Sequence, residues 1–166
     1  MTPACPLAHP KILTLSEFLV HPARHALESI VFTNGCFDLL HAGHVDLLRR
    51  ARSYGNVLIV GLNSDASVRR LKGPTRPITP LAERAYVLSS LECVDYVLPF
   101  GEDTPLELIR AVRPHVLIKG GDWPKNRIVG AEDVESWGGR VFSLELLPGY
   151  STTAMVRRIQ GLPVQA

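Results

Sequence analysis

The sequence predicts an α/β fold, a single domain built on a doubly wound, mainly parallel sheet of five strands. Three observations lead to that expectation. Short apolar runs alternate with helical patterns along the chain, which implies right-handed crossovers between parallel strands. One run, Val57 to Leu62, is apolar throughout, as a strand covered on both faces requires. Polar clusters follow the first, second, fourth and fifth runs at their carboxyl ends, where Rossmann-like sheets bind ligands near the topological switch point.

At 166 residues the chain is most simply one domain, and a chain of this size buries roughly 70% of its unfolded surface, enough for a real core. Hydrophobic residues at 46% and charged residues at 20% fit a soluble globular protein and exclude a disordered one. A formal charge of +2 with no basic cluster gives no ground for nucleic acid or a membrane as partner. No apolar run approaches the ~18 residues of a membrane span, and the N-terminus lacks the apolar core of a signal peptide. Cys5, Cys36 and Cys93 form neither a Cys-x-x-Cys pair nor an even framework, so reduced thiols in a cytoplasm are expected.

Residues 1–29 are expected to form an extension that covers a sheet edge or joins a partner subunit. Thr14 and Glu17 have capping-box spacing, which predicts a short helix through Phe18 and Leu19. Residues 23–29 are ambiguous between loop and a second helical turn. The first strand is read at 30–34 and the helix after it at 42–53, with Gly55-Asn56 as the turn out. The second strand, 57–62, ends in Asn63-Ser64-Asp65. Residues 66–78 hold a short helical piece and then a loop, marked by Gly73, Pro74 and Pro77. Thr79-Pro80 opens a helix to about Leu91, with Pro80 at the first helical position, where its missing N–H costs nothing. The third strand is Val94 to Pro99. Thr104 and Glu107 have capping-box spacing around Pro105, which predicts a helix over 105–112. The fourth strand, His115 to Ile118, ends at Lys119-Gly120-Gly121-Asp122-Trp123. A loop over 124–130 precedes a short helix over 131–137, stopped by Gly138-Gly139. A fifth strand runs from Arg140 to Leu146, a last helix covers 153–160, and 161–166 is a tail.

The chemistry concentrates after the first strand, between Thr33 and His44. His41 and His44 are three residues apart, so both rings lie on one side of a helix's first turn. Unpaired N–H groups and the helix dipole favour anions there. Gly35 and Gly43 suit a backbone brought close to a phosphate. The same stretch admits a metal reading through Asp38, His41 and His44, and a nucleophile reading through Cys36. Two histidines just after a glycine turn favour the anion, and Cys36, in a tight turn, reads as a turn residue. Lys72 and Arg76 are either solvated loop charges or phosphate contacts. Asp65 and Asp122 either cap turns or accept bonds from sugar hydroxyls. Ser151, Thr152 and Thr153 suit both a helix cap and a phosphate. Lys119, directly after a buried strand, faces the site in preference to Lys125, and His9, His21, His25 and His115 read as structural.

The segment GCFDLLHAGH resembles the signature of the cytidylyltransferase-like nucleotidyltransferases, whose hallmark is a His-x-Gly-His turn. Asn63-Ser64-Asp65, Arg84 with Val94-Asp95, Gly121-Asp122-Trp123 and Ser151-Thr152-Thr153 follow in that family's order, so the likeness covers about residues 30–160. TNGCFDLLHAGH, VGLNSD, RLKGPTRPI, KGGDW, IVGAEDV and GYSTT together are most similar to the heptose 1-phosphate adenylyltransferases, in their stand-alone form. The relatives that use CTP on glycerol or choline phosphates typically carry Arg-Thr before their Ser-Thr-Thr motif, where Leu146 and Leu147 stand here.

The resemblance implies AMP transfer from ATP to a sugar 1-phosphate, D-glycero-β-D-manno-heptose 1-phosphate, with Mg²⁺ accompanying ATP through its phosphates. It implies His41, His44 and Lys72 as catalytic residues. It implies nucleotide contacts at Thr33, Asn34, Gly35, Cys36, Phe37 and Gly43, and again at Lys119, Gly120, Asp122, Ser151, Thr152 and Thr153. Contacts to the second substrate are implied at Asp38, Asn63, Asp65, Arg76 and Arg84, with no protein metal ligands. A homodimer or larger homo-oligomer is also implied. The alternatives are a CTP-dependent cytidylyltransferase of a small phospho-alcohol such as glycerol 3-phosphate, a non-catalytic nucleotide-binding domain, and a metal-dependent hydrolase.

Overall fold

The protein is described by a computed structural model over residues 7–22, 24, 29–121 and 123–163. Its elements are α1 (Leu15–Val20), β1 (Ile30–Gly35), α2 (Ala42–Arg52), β2 (Val57–Asn63), α3 (Asp65–Lys72), α4 (Leu81–Ser89) and β3 (Tyr96–Phe100). They continue with α5 (Leu106–Val112), β4 (Val116–Gly120), α6 (Ala131–Ser136), β5 (Arg140–Leu144) and α7 (Thr152–Ile159). A 3-10 turn, Lys125–Arg127, lies between β4 and α6.

The strands form one sheet in the order β3-β2-β1-β4-β5, and every pairing is parallel. The chain begins in the middle, winds out to β3, then crosses back to lay β4 against the free side of β1. The winding direction reverses between β1 and β4. A crevice therefore opens beyond their carboxyl ends, Asn34-Gly35 and Lys119-Gly120.

Alternation along the strands decides what packs where. Ile30, Phe32, Ile59, Leu98, Leu117 and Val141 face one layer, formed by Phe18 of α1, Leu108, Ile109 and Val112 of α5, and Val134 of α6. Val31, Leu58, Val60, Val97, Val116 and Ile118 face the other, formed by Leu47, Leu48 and Ala51 of α2 with Ala85 and Leu88 of α4. The same parity puts Thr33 on the α2 side and Asn34 on the α5 side. No described helix is long and apolar enough to cross a membrane.

The N-terminal extension covers a sheet edge. Ile12 bridges to Val97 in parallel, the Val97 N–H donates to the Lys11 carbonyl at 2.8 Å, and the Leu13 N–H donates to the Val97 carbonyl at 3.1 Å. Lys11 Nζ donates to the Val94 carbonyl at 2.7 Å, so the row of unpaired groups on β3 is shielded. The capping box expected at Thr14 and Glu17 is present, and α1 plants Phe18 in the core. The second helical turn considered at 23–29 falls largely outside the described residues.

Several boundaries differ from the sequence-based expectation. Pro80 and Pro105 are N-caps, not first helical residues, and Thr104 makes no capping bond. Pro80 has an extended ψ of 153°, so the chain turns helical one residue later. The helix at Thr79-Pro80 ends at Ser89, and the third strand starts at Tyr96, because Leu91 and Val94 close a turn by a 3.2 Å bond. The fifth strand stops at Leu144, and Leu146 then folds onto Gly120, where an added Cβ would meet Leu146 Cδ2 at 3.0 Å. The last helix begins at Thr152.

Phe18 is fully buried, so Phe18→Ala leaves a cavity between α1 and the sheet. The expected loss is about 3–5 kcal/mol, read from the midpoint of urea unfolding at unchanged slope.

Candidate active site

The turn leaving β1 is set by a glycine and an aromatic ring. Phe37 has a positive φ of 44°, and its ring folds back over Gly35, where a Cβ would lie 3.0 Å from Cε2. Phe37 is buried and presents an edge to His44 at 5.2 Å between centroids. His41 is the N-cap of α2 and makes no side-chain cap bond, so the first N–H groups of α2 stay available to an anion. The rings of His41 and His44 stack at 3.8 Å with an interplanar angle of 20°. Gly43 makes room for this stack, since a Cβ there would lie 3.2 Å from the His41 ring and 3.0 Å from Tyr150 Cβ. Tyr150 lies over His41 at 6.4 Å, which brings the start of α7, with Ser151, Thr152 and Thr153, to the histidine turn.

Burial pushes His44 down to about 4, and the neighbouring His41 adds to that, against a backbone hydrogen bond at Leu39. Burial lowers His41 as well. His44 is therefore neutral at pH 7, which is what allows two rings to stack so closely. Nδ1 of both rings and the Thr33 hydroxyl are buried without a hydrogen-bond partner. Such groups are rare in folded proteins and mark polar capacity that the fold leaves unmet.

Several residues expected to touch substrate are engaged with other parts of the protein. Asp38 is buried, and its carboxylate accepts from the N–H groups of Ile78 at 2.8 Å and Thr79 at 2.9 Å and from Arg76 Nε. Burial pushes its carboxyl up, but the N–H groups of Thr79 and Ile78 and the Arg76 guanidinium outweigh it and hold the group below its ordinary value. Arg84 is buried and donates to the carbonyls of Thr79 at 2.9 Å, Cys36 at 2.6 Å and Asn63 at 2.9 Å, and to the Asp65 carboxylate at 2.7 Å. Asn63 Nδ2 donates to Ser67 Oγ at 3.0 Å. These five side chains join the ends of β1 and β2 to the loop between α3 and α4. The metal reading loses Asp38 for the same reason, and no group of three His, Cys, Asp or Glu among the described residues is placed to hold a metal ion.

What remains open is cationic. Lys72 ends α3 on the surface, and its charge reaches both Cys36 and Lys119. Lys119 is lowered by burial first and by Lys72 in addition, against the effect of Cys36. Burial pushes the Cys36 thiol up, so it stays protonated and is no nucleophile. Gly120 serves packing, since a Cβ there would lie 2.6 Å from Leu47 Cδ2. Ser151 caps α7 by accepting from the Ala154 N–H at 3.0 Å. Asp122 lies outside the described residues. Beside Asn34 and Lys119 the structure opens a cleft of about 190 Å³, to which Trp123 and Arg127 contribute. Arg127 went unremarked in the sequence, because a lone basic residue in a loop carries no signal, and Tyr150 was given no role of its own within GYSTT, because its partner His41 is distant in the chain.

The cytidylyltransferase-like family profile matches residues 32–158. The chain belongs to that family. Among its relatives, the bifunctional protein HldE of Acidiphilium cryptum is 63% identical over 131 residues, 79% of this chain and 27% of that protein. HldE of Paramagnetospirillum magneticum is 51% identical over 163 residues, 92% of this chain and 33% of that protein. The chain thus spans between a quarter and a third of the curated relatives it matches. A lipopolysaccharide core biosynthesis protein from Thermoplasma volcanium superposes with a TM-score of 0.57 at 26% identity, over 72% of this chain and 96% of that one. Pantoate-beta-alanine ligase from Francisella tularensis shares the fold, with a TM-score of 0.56 at 15% identity, over 93% of this chain and 79% of that one.

Two outcomes test this geometry. Arg84→Lys cannot reproduce the guanidinium fork and strands buried carbonyls, so a loss of about 3–5 kcal/mol is expected in denaturant unfolding. His44 takes up its proton near 4 when folded and near its ordinary 6.5 when unfolded, so the unfolded chain binds the proton first on acidification. Its contribution to stability is whole above about 6.5 and is lost as the pH falls towards 4. The thermal midpoint should fall across that window, and His44→Asn should flatten the fall.

Proposed function

We propose that the protein transfers AMP from ATP to a sugar 1-phosphate, D-glycero-β-D-manno-heptose 1-phosphate, releasing pyrophosphate and ADP-heptose. The observation that carries this reading is the neutral His41–His44 stack at the uncapped start of α2, with Lys72 and Lys119 close enough to Cys36 of the same turn to act on it electrostatically. The acceptor's phosphate oxygen forms a bond to the α-phosphorus, and the bond from that phosphorus to the bridging oxygen breaks. The electron pair leaves with pyrophosphate.

Both reactants are anions, so alignment and neutralisation of charge are the protein's main work. His41 and His44 donate hydrogen bonds where charge grows between the α- and β-phosphates, and the α2 dipole adds to them. Lys72 and Lys119 hold phosphates, and Thr152 and Thr153 grip the triphosphate from the start of α7. Asp38 and Arg84 act by holding the lysine loop and the histidine turn in register. Mg²⁺ would ride on the triphosphate, held by phosphate oxygens and water, and would offset their charge. That mode suits a site at which two carboxylates, Asp38 and Asp65, are already engaged with Arg76 and Arg84.

The heptose assignment rests on the motifs shared with the heptose 1-phosphate adenylyltransferases. The similarity to HldE proteins and to a lipopolysaccharide core biosynthesis protein supports it. We place the reaction in the cytoplasm, where Cys36 and Cys93 remain the free thiols they are here.

His44→Ala should keep its far-ultraviolet circular dichroism and lose about 10²–10³-fold in turnover, as the loss of a donor to developing charge does. Turnover near wild type in that variant would overturn the assignment. A matrix of nucleoside triphosphates against phosphorylated sugars and alcohols, read by pyrophosphate release, should peak at ATP with the heptose phosphate. A peak at CTP with glycerol 3-phosphate would replace the reading with a cytidylyltransferase.

A further inference from the structure

α7 buries no residue, so it has no anchor of its own in the core. Its place is set by the segment that leads to it, residues 145–150, every one of them exposed. That segment leaves the end of β5 and reaches α7 through Pro148-Gly149. Gly149 has a φ of 82°, which a Pro-Gly turn of type II needs at its second central residue. On the way the segment crosses one face of α2. Gly43, Asp46, Leu47 and Arg50 stand at i, i+3, i+4 and i+7, a single stripe of that helix.

Three contacts tie the segment to this stripe. Leu146 and Leu47 both close on Gly120, where an added Cβ would lie 3.0 Å from Leu146 Cδ2 and 2.6 Å from Leu47 Cδ2. Tyr150 lies over His41, its Cβ 3.0 Å from the place of a Cβ on Gly43. Arg50 donates from Nη2 to the Glu145 carbonyl, while its Nε donates to the Asp46 carboxylate at 2.8 Å. The leucine contact has no direction, and the Tyr150 ring is half open at 6.4 Å from its partner. Of the three, the arginine alone fixes an angle: Asp46 orients the planar fork and leaves a donor aimed at the carbonyl. Among the described residues no other hydrogen bond reaches the backbone of 145–150.

We propose that Arg50 is a positioning residue for nucleotide binding. By holding the Glu145 carbonyl it fixes the course of the segment across α2, so that Ser151, Thr152 and Thr153 arrive at the histidine turn. Arg50 itself stands about two helical turns from the start of α2 and acts on the ligand through α7. This inference rests on the proposed function, in which Thr152 and Thr153 grip the triphosphate, and deepens it. An exposed hydrogen bond is weak singly, and this one matters because α7 has no burial to replace it. Without it, binding must also bring α7 back to the turn. A fall of the docked fraction to about one fifth weakens the ligand about fivefold.

Calorimetric titration of ATP with Mg²⁺ into Arg50→Ala, Arg50→Lys and Arg49→Ala tests the assignment. The Arg50 side chain is 41% exposed and alanine is a good helix former, so the fold is kept, which a thermal melt checks. Arg50→Ala should weaken ATP about fivefold, and Arg50→Lys should recover part of the loss. Arg49→Ala removes the same charge one residue away and should stay within about twofold of wild type. In turnover, Arg50→Ala should raise KM for ATP by its factor in binding and leave kcat and KM for the acceptor within about twofold, the pattern of lost ground-state binding. Added to Thr152→Ala, it should cost less than it does alone, because both act through α7. If Arg50→Ala binds ATP as wild type does, if Arg49→Ala is as weak, or if the pair with Thr152→Ala is additive, this inference falls and the proposed function stands. If the wild type binds CTP in place of ATP, the proposed function falls, and the same comparison with CTP decides this inference. If the wild type binds no nucleoside triphosphate, both fall.

Discussion

The guanidinium of Arg84 is the interaction on which the site depends. From α4 it reaches under the sheet's carboxyl edge and donates to carbonyls after β1, at the end of β2 and at the start of its own helix, with a carboxylate of α3 as fourth partner. A planar fork with fixed donor directions can join four segments at once, which a lysine cannot. Because the group is desolvated, its partners are as costly to lose as it is to unpair. The register of the histidine turn against the lysine loop is thereby held from below. Asp38 adds a second tie from the turn to Ile78 and Thr79.

Above this clamp the site divides its electrostatics by layer. On the α2 side two imidazoles pack face to face, and burial keeps them uncharged. On the other side of the strand ends burial, and after it the nearby Lys72, lower Lys119 from its ordinary value, and a phosphate placed between the two cations would counter both effects. The doubly wound order produces this division. β1 and β4 are neighbours in space although some eighty residues separate them, and the crevice between their ends faces both helix layers.

Much of the fold was legible in the chain. Strand alternation, the buried run of β2 and the Thr14–Glu17 cap all follow from local pattern, which burial on both faces makes strong. The starts of α4 and α5 were less legible, because proline is equally content as an N-cap and as a first helical residue, and only the ψ of the folded chain separates the two. Asp38, Asn63 and Arg84 stand inside or beside recognisable motifs, yet a motif does not reveal whether a polar side chain points to a ligand or to the backbone beneath it. Trp123 and Arg127 needed the cleft to become visible as partners, since neither has a periodic neighbour.

The sequence by itself determined the parallel α/β architecture and the place of His41 and His44 in the turn that leads from β1 into α2. Those properties reside in contiguous residues and in periodicities that local sterics and hydrophobic burial impose. Only the tertiary structure decided which charged residues are clamps and which are open. That outcome depends on burial and on partners distant in the chain: Asp38 on Thr79, Arg84 on Cys36 and Asn63, Tyr150 on His41.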